Sequence, residues 1–453
     1  MVAMRILRAL AARVTAAACG AAYVTLLEAL SRLANRYGPL RGPAAALVFV
    51  GLTFGVLLLL VAVYIALLPY LFEVEKLKNF APADCFLLLV ALLAAAQLKY
   101  RRPAWTVWHA AILLTFVIGS LVAVFRFGDL DRYELLNKDA GLLLPMLSYA
   151  AITSAITEWE DLRWLLRIFV LGVVVENLMA LAGFLAAYFL GVETPFTRYE
   201  GLRLSGMLLD PNAYGGLLVV ALVICEGASW GRAPLFKRRM LWLARVSLAL
   251  GILFTFSRSA WVGLALAFLL FFLIRPAIAL RPLLAGVAAA PCVVLLMGRR
   301  FLPIFDEMAS RPKQVQERFD LIHQALQAFV RHPLLGGGLG SFRLGAGVVA
   351  HNSAMWFLAD FGIVGLTVFV AFLGWFFAKA WYAYRFAPKR EQPLALALFL
   401  AHAAMIGVAM GIEAFYQRHW WMVLALIASG YSLTLRPGSW GRRETEVTAC
   451  VCN

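Results

Sequence analysis

The chain has 453 residues, of which 63% are hydrophobic and only 15% charged, and its mean hydropathy is +0.82. Soluble globular domains are not that apolar, so the composition excludes a string of them and points to a polytopic helical membrane protein. The formal net charge of +16 is not read as a nucleic-acid footprint, because Lys and Arg are spread over short connections between apolar runs, as in a protein oriented by positive charge on its cytoplasmic side.

Residues 1–42 come first and carry Arg5, Arg8, Arg13, Arg32, Arg36 and Arg41 among Ala, Leu and Val. These arginines interrupt every run long enough for a signal-peptide core or a span, so an amphipathic helix on the cytoplasmic leaflet is expected, with no cleavage and no lipidation at Cys19. From Pro43 onward the apolar runs predict twelve spans, at 45–71, 82–98, 104–125, 140–157, 165–190, 211–229, 240–256, 259–274, 283–298, 361–383, 393–412 and 419–435. The expected fold is all-α: a transmembrane domain over 43–436 with one long loop, 299–350, and a cytoplasmic tail, 437–453.

The connections alternate in charge. Lys99/Arg101/Arg102, Arg163/Arg167, Arg232/Lys237/Arg238/Arg239, Arg275/Arg281, Lys379/Arg385/Lys389/Arg390 and Arg436/Arg442/Arg443 fall on one side with the N-terminus. Both termini are therefore expected in the cytoplasm and the loop 299–350 on the opposite face, the periplasm in a bacterium. The six cysteines (Cys19, Cys85, Cys225, Cys292, Cys450 and Cys452) have neither zinc-type nor disulfide-framework spacing.

Several arginines run against this alternation and so call for a reason. Arg198 and Arg203 lie in the loop 191–210, Arg258 in the turn Phe256-Ser257-Arg258-Ser259, and Arg299, Arg300, Arg311, Arg318, Arg331 and Arg343 in the long loop. Arg258 is flanked by apolar helix on both sides, where an unpaired charge is expensive. A diphosphate at the membrane surface would satisfy it through two parallel hydrogen bonds; snorkelling to headgroups, or pairing with Asp210 or Glu413, would satisfy it too. Beyond the loop comes His351-Asn352, at the entrance to an apolar helix. An imidazole there is mostly neutral at pH 7 and can take a proton from a sugar hydroxyl, or the pair can simply cap the helix.

In the long loop, Val315, Phe319, Ile322, Leu326, Phe329 and Val330 recur at helical spacing with polar residues between them. They predict an amphipathic helix lying in the outer leaflet interface or packed on the bundle as a lid. Gly336, Gly337, Gly338 and Gly340 come after it, without the Gly-Lys-Ser/Thr ending of a nucleotide loop, and are read as a close turn. Asp129 and Asp131 have metal-ligand spacing but stand beside Arg126 and Arg132, and are read as solvated. Glu413, Arg418 and His419 form a further polar cluster in which Glu413 is expected to orient an arginine or His351.

Four stretches, in order, resemble one family. These are Gly201-Leu202-Arg203-Leu204-Ser205-Gly206 through Asp210-Pro211-Asn212, then Thr255-Phe256-Ser257-Arg258-Ser259-Ala260, then Arg331-His332-Pro333 through Gly340-Ser341-Phe342, and last His351-Asn352, nine residues, Gly362, two residues, Gly365. Together they resemble the bacterial O-antigen ligases, within the O-antigen ligase and polymerase superfamily, over residues 195–375.

The resemblance implies a glycosyltransferase of the bacterial inner membrane with its site facing the periplasm. It would move a glycan from an undecaprenyl diphosphate carrier to a lipid A core acceptor. On that reading Arg258, Arg203 and Arg198 hold the donor diphosphate, His351 is the general base, and Asn352, Glu413 and Arg343 support them. Arginines would then do the work of a metal, and no cofactor is implied. A polymerase of the same superfamily, with a second lipid-linked glycan as acceptor, is the alternative. A transporter or flippase, for which the intramembrane Glu176 is the best argument, is the alternative of another class.

Overall fold

The structure, a computed structural model, describes residues 57–70, parts of 83–94, residues 102–128, 138, 140–198, 203–208, 210–231, 233–282, 284 and 312–436. The N-terminal segment 1–42, the tail 437–453, the pair Asp129 and Asp131, and the spans expected at 82–98 and 283–298 lie wholly or largely outside the described residues. By compactness the chain divides into a unit Met1–Leu60 and a unit Val61–Asn453. The second begins within an apolar helix α1, Leu57–Leu67, and carries every other described element.

Apolar helices succeed one another: α2 Val107–Phe127, α3 Ala140–Ala155, α4 Trp159–Leu190, α5 Pro211–Gly227, α6 Arg238–Thr255 and α7 Arg258–Ile274. Then come the amphipathic α8 Pro312–Arg331, a short α9 Ser341–Ala346, and α10 Ser353–Phe386, α11 Gln392–Ala409 and α12 Arg418–Leu435. Between α4 and α5 lies a two-stranded antiparallel hairpin, β1 Thr197–Arg198 with β2 Arg203–Leu204, in which Arg198 stands opposite Arg203. By length and composition α2, α4, α10 and α11 can each cross a membrane, while α1, α3, α5 and α7 are apolar but shorter.

Local chemistry sets the boundaries. Asp210 caps α5 by accepting from the Asn212 amide, and Pro211 occupies the first turn, where a missing N–H costs nothing. Phe256 ends α6 in the left-handed region and Ser257 at once caps α7, so α6 and α7 turn back on each other through two residues. The span expected from 165 begins at Trp159, because the Asp161 carboxylate accepts from the Thr157 and Glu158 amides and starts the helix early. α10 starts at Ser353, where Asn352 accepts from the amides of Ala354 and Met355, and is kinked at Gly362, beyond which runs the span expected from 361.

The core sits around α11, of which 89% of an 18-residue window is buried, against 33% for α2. A helix apolar all round must be enclosed, and α11 packs on α5, α7, α10 and α12. Small residues allow the closest approach: a Cβ added at Gly263 of α7 would lie 2.6 Å from the Ala404 carbonyl oxygen of α11.

Polar groups gather at the two ends of the bundle, as the alternation of basic connections predicts. At one end Arg163 bonds Glu391 at 2.6 Å and the Ala233 carbonyl at 2.6 Å, and Arg436 bonds the Thr157 carbonyl. At the other end lie the hairpin, the α6–α7 turn, the segment 332–353 and the connection 410–417, where hydrogen bonds tie Arg203 to the turn and Asn352 to Met410.

Candidate functional site

The turn at 255–259 forms the floor of this second end. Arg203 is buried beneath it and donates from Nε to the Thr255 carbonyl at 2.9 Å and from Nη2 to Asn212 Oδ1 at 3.1 Å. It thereby satisfies a carbonyl that the end of α6 leaves without an intrahelical donor. Arg258, the first residue of α7, is half-buried, and Ser257 and Ser259 share a 2.9 Å hydroxyl contact beside it.

The chain entering α10 forms the wall. The Asn352 side-chain amide donates to the Met410 carbonyl at 3.0 Å, and Ser353 Oγ bridges the Ile412 carbonyl and the Ala414 amide. Glu413 is ion-paired with Lys138 and accepts from the Ala350 amide at 2.9 Å. Lys138 also lies over the ring of Trp356, 4.2 Å from its centroid.

His351 is thus held between two anchored neighbours, with φ of 49° and its side chain exposed. Desolvation by its surroundings, and then the charge of Arg318, hold its pKa below the ordinary 6.5, while Glu413 and Asp210 act in the opposite sense. The imidazole is therefore neutral at pH 7 and able to accept a proton. Asn352 is the helix cap, so the capping reading holds for it, and the adjacent imidazole stays outside the helix.

Behind the wall the glycine-rich segment is locked to the kink in α10. The Gly337 and Gly338 amides bond the Ala359 and Asp360 carbonyls at 2.8 and 2.9 Å, and the Leu339 amide bonds the Gly119 carbonyl of α2 at 3.0 Å. The buried Asp360 carboxylate collects the Gly340 and Phe342 amides, Ser341 Oγ and Trp356 Nε1, each at 2.9 Å. The glycines serve backbone approach here: a Cβ at Gly338, where φ is +98°, would lie 2.6 Å from the Ala123 nitrogen.

The amphipathic helix forms as expected, and packs on the bundle by a stripe other than the one singled out in the sequence. Phe319, Leu326 and Val330 of the expected apolar stripe are 63%, 44% and 74% exposed, whereas Leu321 and Ala325 are buried. α8 packs on α10 through this second stripe, since the small Ala325 lets the backbones come close and leaves the bulkier side chains pointing away.

Of the residues singled out in the sequence, the structure brings Arg258, His351, Asn352 and Glu413 to one place. Arg203 lies directly beneath it, with its hydrogen bonds in the turn. Arg198 is half-buried on β1 opposite Arg203, and Arg343 is half-buried on α9. Sequence reasoning assigns no role to three residues. Arg318 is one of several counter-trend arginines, and its spacing of three from Leu321 is the signal that could have found it. Lys138 carries no such signal. Asp360 is an acid among apolar residues, which by itself asks for donors.

Comparison with known proteins covers part of this site. No curated protein matches the chain, whereas residues 243–370 match the family described as O-antigen ligase. The match runs from Leu243 in α6 to Val370 in α10 and includes Arg258, Arg318, His351 and Asn352. Over that segment, the chain is similar to the O-antigen ligase family, as the four motifs suggest.

Proposed function

We propose that the protein transfers a glycan from undecaprenyl diphosphate to a lipid A core acceptor at the periplasmic face of a bacterial inner membrane. The observation that carries this reading is the neutral, exposed His351 set at the same end of the bundle as Arg258 and within the field of Arg318. A diphosphate is a good leaving group once its developing charge is held, and guanidinium groups can hold it in a preorganised site. His351 takes the proton of the acceptor hydroxyl as that oxygen attacks the anomeric carbon. The bond to the diphosphate breaks, its electron pair leaves with the phosphate oxygen, and a single displacement inverts the anomeric centre.

Arg203 supports this site from below by fixing the turn that presents Arg258, and Glu413 supports it by fixing the backbone before His351. Arg198 and Arg343 remain candidates for the sugar or diphosphate of the donor. The transfer requires no metal in this mechanism, since arginines supply the positive charge.

The acceptor decides between ligase and polymerase, because both need the same grip on the donor. Purified protein given the lipid-linked donor alone and then donor with lipid A core provides the test, each repeated in excess chelator. Product only with the core, undiminished by chelator, is the expected outcome. Glycan lengthening with donor alone would make it a polymerase, and activity restored only by added magnesium or manganese would overturn the metal-free mechanism.

A further inference from the structure

One residue on the face that α8 turns toward the bundle is not apolar. Arg318 lies three residues before the buried Leu321 and is itself half-buried. A Cβ added at Gly411 would lie 3.4 Å from Arg318 Nη1 and 2.6 Å from Ser259 Cβ. The guanidinium therefore reaches the connection after α11 at the point where that connection abuts the first turn of α7, next to Arg258. Among the described residues Arg318 has no hydrogen-bond or ion-pair partner. Asp210, the acid whose charge acts on it, already receives the Asn212 backbone and side-chain amides on Oδ1.

Two guanidinium groups drawn together away from bulk water repel each other, and burial adds to the cost. Burial and the Arg258 charge both act against the positive form of Arg318. An anion with oxygens on two adjacent centres removes both penalties, because each fork can then take its own pair of oxygens.

We propose that Arg318 is a donor-binding residue that grips one phosphate of the lipid-linked diphosphate while Arg258 grips the other, so that α8 completes the site. This rests on the reading of the protein as a user of a diphosphate-linked donor and adds a residue and an element to it. It has a second consequence at His351, which is faced by Arg318, Glu413 and Asp210. A bound diphosphate offsets the Arg318 charge, so the base becomes stronger when the donor is in place.

The test uses the full chain in nanodiscs of zwitterionic lipid, with farnesyl diphosphate and farnesyl monophosphate as probes and an added arm of vesicle phosphatidylglycerol as competitor. Arg318→Gln is expected to weaken diphosphate binding at least tenfold and monophosphate binding far less. Arg318→Lys, which keeps the charge but not the fork, should fall between. The acid limb of kcat/KM should move to higher pH in Arg318→Gln and stay near its wild-type place in Arg318→Lys, which loss of packing alone would not produce. Equal weakening for both probes, or displacement of the diphosphate by phosphatidylglycerol at equal concentration, would overturn the assignment to a second phosphate. If Arg318→Gln binds farnesyl diphosphate as wild type does while Arg258→Gln loses it, the proposal fails and the donor reading stands. A wild-type protein that binds neither probe and transfers no glycan would instead remove the donor reading itself.

Discussion

A base that accepts a proton from a sugar hydroxyl must be neutral at working pH and must not drift from its place. His351 meets the first condition because desolvation and Arg318 lower its pKa from 6.5. The second is met by its neighbours: Ala350 is tied to Glu413 and Asn352 caps α10. These ties also hold a non-glycine residue at φ of 49°, a conformation that costs on the order of 1 kcal/mol and persists only when its surroundings enforce it. The kcat/KM, which reports the donor-free enzyme, should therefore be flat at pH 7 and fall only as pH drops below 6.5, when the imidazole takes up a proton; a kcat/KM profile with its acid limb above 6.5 would contradict the assignment. His351→Ala should retain donor binding and lose about 10²–10⁴-fold in transfer. Arg258→Lys should lose most activity despite keeping its charge, since an ammonium cannot present two parallel donors. Isothermal binding of the donor beside turnover would separate the two effects.

At the scale of elements, the segment 336–342 and the kink of α10 make one unit. Gly362 breaks the helix with φ of 66° and ψ of −163°, and a Cβ there would lie 2.4 Å from the Leu334 carbonyl oxygen. The broken turn frees the backbone carbonyls that the glycine amides then use, while Asp360 gathers the remaining donors. The glycine cluster is therefore a mortise between α2 and α10, and it sets the course of the chain that leads to His351. Gly338→Ala places a Cβ against the α2 backbone in a conformation unfavourable to it, and should destabilise the protein by about 1–3 kcal/mol. Gly345→Ala, on α9 with nothing within 4 Å of its added Cβ, should be neutral or slightly stabilising. Thermal unfolding in detergent compares the two, and equal loss from both would show that the fit at Gly338 is not what matters.

For the whole molecule, the two polar ends of the bundle imply an orientation. The end that holds Arg163, Arg167, Arg390 and Arg436 is the richer in cations and should face the cytoplasm. On the proposed function, the end that holds Arg258 and His351 should then meet the periplasm, the side on which that reading requires the lipid-linked donor. Gln316 on α8 and Lys237 before α6 are both exposed. With the native cysteines replaced, a membrane-impermeant thiol reagent added outside should label a cysteine at 316 and not one at 237. The opposite pattern would put the site on the wrong side for a periplasmic donor.

Composition and spacing by themselves determined the membrane class, the existence and rough limits of most described helices, the two polar ends, and the four motifs that resemble one family. Those are properties of single segments: apolar run length, cap residues and local charge, each readable without a partner. Which arginines come near His351 and which are buried under the α6–α7 turn was decided by tertiary structure alone. Arg203 and Arg258 are alike in sequence, counter-trend cations near a short turn, yet one turns under the floor to satisfy a helix end and the other stands at the site. Arg318 is, in sequence, one of many loop cations; α8 packs through Leu321 and Ala325 and carries it to Arg258. Helical periodicity offers two overlapping apolar stripes on α8, and only the close approach allowed by Ala325 chooses between them. The same holds for Lys138, whose ion pair with Glu413 joins residues from distant parts of the chain. A residue's role at a site depends on what the fold sets opposite it, and no local pattern records that.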